Sequence, residues 1–508
     1  MMKKAAILLC LAALAGASWV ALKPAKSGST PLMVFCAAGI KRPVEEIATA
    51  YQKETGSEVR LQYGGTGTLL SQLKIAKQGD LFIAADDGAL ADAKKLGVTR
   101  EEFPLVKQKP VLAVAKGNPK KITSLAALKQ DGIKLALPNP EAASCGKVTK
   151  RLLGNEWDAL AAKAAVMKPT VTEIAADLSL GAVDAVIVWD ATVPQFSGLE
   201  IVPVPELAQH EEFATAALLA SCTQSSDAMR FARYLAAPEK GGSVFEKHGF
   251  KSVPGDKWAA RPDLIIYSGG VNRPAIEKLL QQFATREGIT MTTVFNGCGI
   301  LCATMKTMGD SSNPKFPDVY YACDVCFVPP VAEQFPEAVM LTEAEIVIAV
   351  PKGNPQNIRT LADLARPGLR VGLCNAEQST LGFLTRSMLK SMNLWESVSK
   401  NASSQVPTAD FLVNQMRTGS LDAAVVYGIN IHNDPAHFDA VPLPADKSKA
   451  VQPFAVRRDS PNQQMGHRLL AFLREHHESF ETAGFVWKGD TAPVKSADIV
   501  LPDWLKQK

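Results

Sequence analysis

Short apolar runs alternate with longer amphipathic segments from residue 32 onwards. The apolar runs predict strands at "LMVFCA" (32–37), "EVRLQYG" (58–64) and "DLFIAAD" (80–86). Helical periodicity marks "RPVEEIATAYQKETG" (42–56) and "TGTLLSQLKIAKQG" (66–79). The first of these helices has Pro43 in its first turn and Gly56 at its end. This alternation predicts an α/β architecture with a mainly parallel sheet.

The same pattern occurs twice along the chain. The motif "KGNP" stands at 116–119 and at 352–355, each time between an apolar strand and a helix-like segment ("ITSLAAL" and "IRTLADL"). Further pairs follow in the same order, at offsets near 231–238 residues. They include "AAGIKRPVEEI" with "SGGVNRPAIEK", "GGTGTLLSQLK" with "NGCGILCATMK", and "DLFIAADD" with "DVYYACDV". The chain is therefore predicted to be a tandem duplication of a unit of more than 200 residues.

The duplication predicts the domain organisation. An N-terminal segment covers residues 1–30, the first unit 31–255, the second unit 256–490 and a C-terminal tail 491–508. The two units are linked through "KSVPGDKWAARPD", whose Pro, Gly and charged residues are typical of a linker.

The first residues have the composition of a secretory signal peptide. Lys3 and Lys4 precede an apolar run, and Ala15-Gly16-Ala17 provides a small-x-small cleavage site. An uncleaved N-terminal membrane anchor is the alternative, because the apolar run continues to Leu22. In both cases we expect the folded part of the chain to be periplasmic or extracytoplasmic.

Composition and motifs exclude several function classes. The 508 residues carry a formal net charge of only +4 and no basic stripe interleaved with aromatics, so no nucleic-acid partner is predicted. Asp86, Asp87 and Asp190 follow strands, but no histidine accompanies them. The sequence also has no nucleophile elbow and no HExxH motif. We therefore predict a binding protein rather than an enzyme, with no cofactor.

Five loops of each copy fall where a strand turns into a helix. In copy one they are "CAAGIKR", "GGTGT", "AADD", "PNPEAASCG" and "VWDAT". Ligands of α/β sheets bind at this edge, beyond the carboxyl ends of the strands. Glycine-rich turns there present backbone N–H groups at helix N-termini, and Thr66 and Ser144 add hydroxyl donors. The loops predict an anion-binding cleft.

The segment "VFCAAGIKRPVEEIATAYQKETGSEVRLQYGGTGTLLSQL", with "GDLFIAADD" after it, resembles the molybdate-type extracytoplasmic solute-binding proteins of ABC importers. The resemblance implies the type II periplasmic binding protein fold, in which two α/β lobes joined by a hinge close on an oxyanion such as molybdate or tungstate. It also implies a membrane ABC permease as partner. Carried over by position, the ligand-binding residues of copy one are Ala38, Gly39, Thr66, Gly67, Ser144 and Trp189. Gly39 stands where the family has a serine, and Trp189 where many members have a tyrosine.

Copy two follows this resemblance more loosely. Its corresponding ligand-binding residues are Ser268, Gly269, Cys298, Gly299, Ser379 and Tyr427. Cys298 takes the place of the Thr66 hydroxyl. The ligand of copy two is therefore expected either to differ from that of copy one or to be absent.

Five cysteines of copy two lie at or beside the ligand loops, and three interpretations remain open for them: Cys298, Cys302, Cys323, Cys326 and Cys374. Four of them have the count for a thiolate zinc or copper site. Export favours disulfides, in which case a bond between two loops is better oriented than an i,i+4 pair in one helix. Unpaired buried or reactive thiols are the third interpretation. The cysteines also keep an alternative function open, that of a ligand sensor or soft-metal-binding protein.

Overall fold

The computed structural model describes residues 30–309, 312–444 and 448–500. The predicted signal peptide or anchor, except for its last residue, and the end of the predicted tail lie outside these ranges. The chain divides into two compact units. The first contains the chain up to Gln224 together with Ser243–Ser252, and the second contains Ser225–Gly242 together with the chain from Val253.

The first unit alternates strands and helices as its sequence pattern predicts. Its strands are β1 (Leu32–Ala37), β2 (Val59–Gly64), β3 (Leu81–Ala84), β4 (Thr99–Gln108), β5 (Pro110–Ala115), β6 (Leu135–Pro138), β7 (Ala164–Lys168), β8 (Ala185–Trp189), β9 (Leu199–Val202), β10 (Glu212–Leu219) and β11 (Lys251–Ser252). Its helices are Lys41–Thr55, Thr66–Ala76, Asp87–Lys95, Ser144–Leu153, Asn155–Lys163, Val171–Ser179, Pro205–Ala208 and Ser243–Lys247.

Two sheets make the two lobes of the first unit. The first-lobe sheet has the order β11-β4-β10-β3-β1-β2, and the second-lobe sheet has the order β7-β6-β8-β5-β9. The chain crosses from the first lobe to the second between β4 and β5, and returns between β9 and β10. At the first crossing the Lys109 amide donates to Asp190 Oδ1 (3.1 Å), next to Pro110, which has no N–H. These two crossings form the hinge that the fold class requires.

The second unit repeats this arrangement with one long strand shared by both lobes. Its strands are β12 (Asp263–Gly269), β13 (Thr290–Asn296), β14 (Val319–Tyr321), β15 (Glu337–Pro351), β16 (Val371–Cys374), β17 (Ala402–Val406), β18 (Ala423–Tyr427), β19 (Phe438–Pro442), β20 (Lys449–Val456), β21 (Val486–Trp487) and β22 (Val494–Lys495). Its helices are Ser225–Ala236, Arg273–Glu287, Cys298–Met308, Thr380–Ser391, Trp395–Lys400, Ala409–Arg417, Ile429–His432, Gln463–Glu475 and Glu478–Thr482. The first half of β15 pairs with β20 and the second half with β18 and β19, so the two lobes share one sheet.

The predicted α/β fold class, with two tandem units of two lobes each, is confirmed. The strands that lead into the ligand loops are parallel: β1 pairs with β2 and β3, and β6 with β7 and β8. The strands next to the crossings, β10 and β5, pair antiparallel, so each sheet is mixed. This follows from the hinge, because a chain that returns to its first lobe runs against the strands it joins.

Two local details differ from the pattern. "ITSLAAL" and "IRTLADL" contain only short 3-10 turns, Ala126–Lys129 and Leu361–Ala365, rather than α-helices. The helix Ser225–Ala236, which the repeat assigns to copy one, belongs to the second compact unit. Its Arg233 side chain donates to the buried Glu287 carboxylate (3.0 Å).

Candidate functional site

The five loops of copy one meet at a single cavity between the two lobes of the first unit. Five of the six predicted ligand residues line it: Ala38, Gly39, Thr66, Ser144 and Trp189. Parallel strands bring their carboxyl ends to one edge, which is why loops far apart in sequence converge here.

Three α-helices begin at the wall of this cavity. Their first residues are Thr66, Ser144 and Val171. The first two helices follow Gly65 and Ala143, neither of which caps the helix with a side chain. Apart from the Gly67 amide, which donates to a backbone carbonyl, their leading N–H groups face no capping side chain, at the positive end of the helix dipole. The lining residues, all within the described ranges, include no Lys, Arg or His. The chemistry of this wall suits an anion held by amides and hydroxyls.

The third helix start is a part of the site that our sequence reasoning missed. Thr170 and Val171 line the cavity, and the Thr170 hydroxyl caps its helix by accepting from the Glu173 amide (3.2 Å). The signal is present in the sequence as "TVTE", a capping-box pattern that marks a helix N-terminus. A capping box does not show which surface its helix end faces.

Gly67 contacts the opposite lobe rather than the cavity wall. Its amide donates to the Ala142 carbonyl (2.9 Å). A Cβ on Gly65 would lie 2.4 Å from the carbonyl oxygens of Ala142 and Pro169, and one on Gly67 would lie 2.4 Å from that of Glu141. The glycines of "GGTGT" thus let the backbones of the two lobes touch, which only residues without a side chain allow.

The Ser144 hydroxyl donates a hydrogen bond to the carboxylate of Asp86 in the other lobe. Asp86 is buried and also accepts from the Ala89 amide (2.8 Å), as the N-cap of the helix that starts at Asp87. Burial raises the pKa of the Asp86 carboxyl, although the hydrogen bonds from Ser144 and Ala89 oppose this shift. The Asp86 carboxylate is therefore in direct contact with Ser144, one of the predicted anion donors.

Trp189 and Gly39 meet on the cavity wall. Trp189 is buried, and a Cβ on Gly39 would lie 3.4 Å from its Cδ1 atom and 3.2 Å from Val171 Cγ2. These distances are tight for carbon atoms. Gly39 and Trp189, the two departures from the family pattern, are thus neighbours. The large indole occupies space that a serine side chain at position 39 would need.

Copy two has its own cavity at the equivalent edge of the second unit. Of its six predicted ligand residues, Ser379 and Tyr427 line the cavity, and Ser268, Gly269, Cys298 and Gly299 do not. Ser268 is buried and accepts from Asn272 Nδ2 (3.3 Å). A Cβ on Gly299 would lie 2.3 Å from the Glu377 carbonyl oxygen, so Gly299 contacts the opposite lobe.

The wall of the second cavity differs from the first in charge. Asp410 lines it and stands at the position that Thr172 occupies in copy one. Burial raises the pKa of the Asp410 carboxyl, opposed by the positive charge of Arg273 and by a hydrogen bond from Asn430. The Tyr427 hydroxyl is buried without a hydrogen-bond partner. The second cavity therefore presents an acid and a free phenol, in place of the uniformly uncharged wall of copy one.

The structure brings two of the five candidate cysteines together. Cys298 and Cys323 lie with their sulfur atoms 2.7 Å apart. The Cys302 sulfur lies instead beside the Tyr320 hydroxyl (3.5 Å), and the Cys326 amide donates to Asp324 Oδ1 (3.1 Å). Burial raises the pKa of the remaining candidate, Cys374, to about 12.

The four-cysteine metal site is not assembled. Across the described residues, no group of three or more His, Cys, Asp or Glu side chains is arranged to hold a metal ion. The reason is local geometry: Cys302 lies a full helical turn beyond Cys298, and its sulfur contacts the Tyr320 hydroxyl rather than another thiol.

Comparison with known proteins places both copies in one family. A family model described as bacterial extracellular solute-binding protein matches residues 32–251 and again residues 264–486. A protein of Haemophilus influenzae is 29% identical over 222 residues, which are 43% of this chain and 90% of that protein. The molybdate-binding protein ModA of Escherichia coli is 24% identical over 232 residues, 43% of this chain and 88% of the relative. Among solved structures, the periplasmic molybdate-binding protein of Azotobacter vinelandii covers 43% of this chain and 98% of its own, at 19% identity and a TM-score of 0.38.

One further observation concerns the membrane. Over the part of the chain that the structure describes, no helix is both long and apolar enough to cross a bilayer.

Proposed function

The chain belongs to the bacterial extracellular solute-binding protein family, and we propose that its first copy captures a tetrahedral oxyanion of the molybdate or tungstate type for an ABC transporter. Membership of this family assigns it to extracytoplasmic binding proteins rather than to enzymes. The proposed binding units are residues 31–255 and 256–490, each closing around its own cavity.

The observation that carries the proposal is the convergence of three helix N-termini on the first cavity. Thr66, Ser144 and Val171 begin these helices, and no basic side chain lines the wall. A tetrahedral oxyanion has four acceptor oxygens, so several amides and hydroxyls pointing inward suit it. A cation would face the positive ends of the helix dipoles, which disfavour it.

Closure of the lobes is part of the proposed binding step. Gly65 and Gly67 seat the start of one helix directly against the backbone of the opposite lobe. The two crossings beside Lys109 and between β9 and β10 are the segments that would absorb the motion. An anion enclosed in this way loses its water and gains fixed dipoles.

The second copy is proposed to take a ligand of different charge. The Asp410 carboxyl on its wall repels an oxyanion at any pH at which it is ionised. Ser379 and Tyr427 leave hydroxyls for a neutral solute. The two copies of one chain would then serve different ligands.

The proposed partner is a membrane ABC permease, to which solute-binding proteins of ABC importers deliver their ligands. A sensor that reports the ligand to a receptor would use the same closing cleft. Uptake by vesicles containing the reconstituted permease separates these two roles, because a sensor does not supply a transporter.

Calorimetric titration of the full chain with molybdate, tungstate, sulfate and phosphate tests the proposed ligand. We expect one oxyanion bound per chain. Thr66→Ala and Ser144→Ala should each weaken binding about tenfold, the scale of a lost hydrogen bond to a charged group.

The controls use the chain's own repeat and the same helix. Thr68 lies on the exposed side of the Thr66 helix, so Thr68→Ala should leave binding unchanged. Ser379→Ala, in the equivalent loop of copy two and on the wall of the second cavity, should also have no effect. The proposal fails if none of the oxyanions binds, or if Ser379→Ala rather than Ser144→Ala abolishes binding.

A further inference from the structure

Two ligand loops of copy two bring a pair of thiols together. Cys298 begins the helix Cys298–Met308, and Cys323 follows strand β14. Their sulfur atoms lie 2.7 Å apart, and the Cys323 amide donates a hydrogen bond to the Cys298 sulfur (3.0 Å). Both side chains are buried. A disulfide has an S–S distance of about 2.0 Å, so a small side-chain movement joins the two atoms.

The residue that faces this pair of cysteines also differs between the two copies. A Cβ on Gly269 would lie 2.3 Å from the Cys323 sulfur and 3.0 Å from the Cys323 amide. By the repeat, copy one has Ala38, Thr66 and Ala85 at the positions of Gly269, Cys298 and Cys323. Copy two therefore has a larger residue at Cys323, where copy one has alanine. It has a smaller residue at Gly269, which faces Cys323 and where copy one also has alanine. This reciprocal exchange keeps the packing intact while it admits two sulfurs.

Other cysteines do not share this arrangement. Cys302 faces the Tyr320 hydroxyl (3.5 Å) and the Phe327 carbonyl (3.5 Å). In copy one, the buried Cys36 and Cys145 have only oxygen neighbours at 3.5 and 4.0 Å. Among the cysteines the structure describes, a sulfur–sulfur contact occurs at Cys298 and Cys323.

We infer that Cys298 and Cys323 form an intramolecular disulfide that ties two ligand loops of copy two together as the exported chain folds. The oxidant is an exchanging disulfide, either of a protein or of a small molecule. The Cys298 thiolate attacks one sulfur of the oxidant, which forms a mixed disulfide and releases a first thiolate. Cys323 then loses its proton and attacks the Cys298 sulfur, which forms the new bond and releases a second thiolate. Both cysteine protons end on the released thiols, and the oxidant is reduced by two electrons.

The electrostatics of the pair support this order of attack. Burial opposes ionisation of Cys298, yet hydrogen bonds from Cys323 and Tyr320 lower its pKa overall. Burial raises the pKa of Cys323 well above its usual range, and the neighbouring Cys298 raises it further. Cys298, at a helix N-terminus, is thus the thiol that reacts first as a thiolate.

The disulfide is tested in the full-length chain carrying Cys302→Ser and Cys326→Ser, exported into an oxidising compartment. The protein is alkylated while denatured, without reductant, and digested with trypsin. Peptide 287–306 then contains only Cys298, and peptide 316–352 only Cys323. We expect these two peptides to be joined, with a mass lower by two hydrogen atoms than their sum, and to separate on reduction.

Two comparisons keep the result interpretable. Adding Cys298→Ser should abolish the joined peptides, whereas adding Cys374→Ser should leave them. In the wild-type chain, a reductant should lower the melting temperature, and it should have no effect on Cys298→Ala/Cys323→Ala. Separately alkylated peptides from the exported protein, or a link from either cysteine to another residue, would overturn the inference.

Discussion

The Ser144 hydroxyl of one lobe donates a hydrogen bond to the buried Asp86 carboxylate of the other. This bond joins two loops that both end at the first cavity. An anion in that cavity competes with Asp86 for the same hydroxyl proton. The charge of Asp86 therefore opposes binding of an anion, and a proton on Asp86 favours it.

We predict that oxyanion affinity of the full chain rises as the pH falls. The pKa of Asp86 is already raised in the free protein, and a bound anion raises it further. Binding then takes up a proton, so lowering the pH towards the pKa of the free protein strengthens binding. Calorimetric titrations over a pH series, in buffers of different ionisation enthalpy, measure both the affinity and the proton uptake.

Asp86→Asn should remove this pH dependence and tighten binding by about tenfold or more, because the like charge is gone. Asparagine retains an oxygen that can cap the helix at Ala89. Asp92→Asn is the matched control, since Asp92 lies exposed on the same helix, paired with Lys147. Unchanged pH dependence in Asp86→Asn would show that the proton is taken up elsewhere.

Gly65→Ala should weaken ligand binding because it prevents lobe closure. The added Cβ would lie 2.4 Å from two carbonyl oxygens of the opposite lobe, a distance at which backbone must move. We expect an affinity loss of about tenfold or more. Small-angle scattering with saturating ligand should report a less compact chain than the wild type. Thr68→Ala on the same helix should bind and close normally.

Gly39 and Trp189 should behave as a coupled pair. Gly39→Ser adds atoms against the indole and should destabilise the first unit by about 1–3 kcal/mol, the cost of overpacking. In a Trp189→Tyr background the same change should cost less, because the smaller ring leaves space. Urea unfolding of the four chains of a double-mutant cycle measures the interaction free energy. Strictly additive effects would contradict the proposed contact.

Glu287→Gln should destabilise the second unit by about 3–5 kcal/mol. Glu287 is fully buried and accepts from Arg468 Nε (2.8 Å) and from Arg233 (3.0 Å), so the substitution removes the carboxylate that both buried cations contact most closely. Arg468 still has the longer ion pair with Asp256 (3.9 Å). Denaturant unfolding measures the change. The control is Glu277→Gln, on the same helix, where an exposed pair with Arg273 should contribute about 0–1 kcal/mol.

The Glu287 carboxylate should also make the stability of the second unit sensitive to acid. Burial alone would raise the pKa of Glu287, but the Arg468 and Arg233 charges lower it overall. A carboxylate whose pKa is lower in the folded than in the unfolded state contributes stability above its unfolded pKa. That contribution is lost as the pH falls towards the folded value. The wild type should therefore lose more stability in acid than Glu287→Gln.

The repeated order of strands, helices and glycine-rich turns determined the fold class and the edge at which the site lies. Hydrophobic periodicity is local, and parallel strands place their carboxyl ends together without further information. Five of the six residues predicted for the first cavity line it for this reason.

The contacts between groups that are distant in sequence could be found only in the folded protein. Ser144 and Asp86 are 58 residues apart, and Cys298 and Cys323 are 25 apart. Gly67 reaches a carbonyl of the other lobe, and the helix Ser225–Ala236 joins the second unit although the repeat assigns it to the first. Each of these depends on how two surfaces pack, and a hydrophobic pattern specifies which face of an element is buried but not which neighbour buries it.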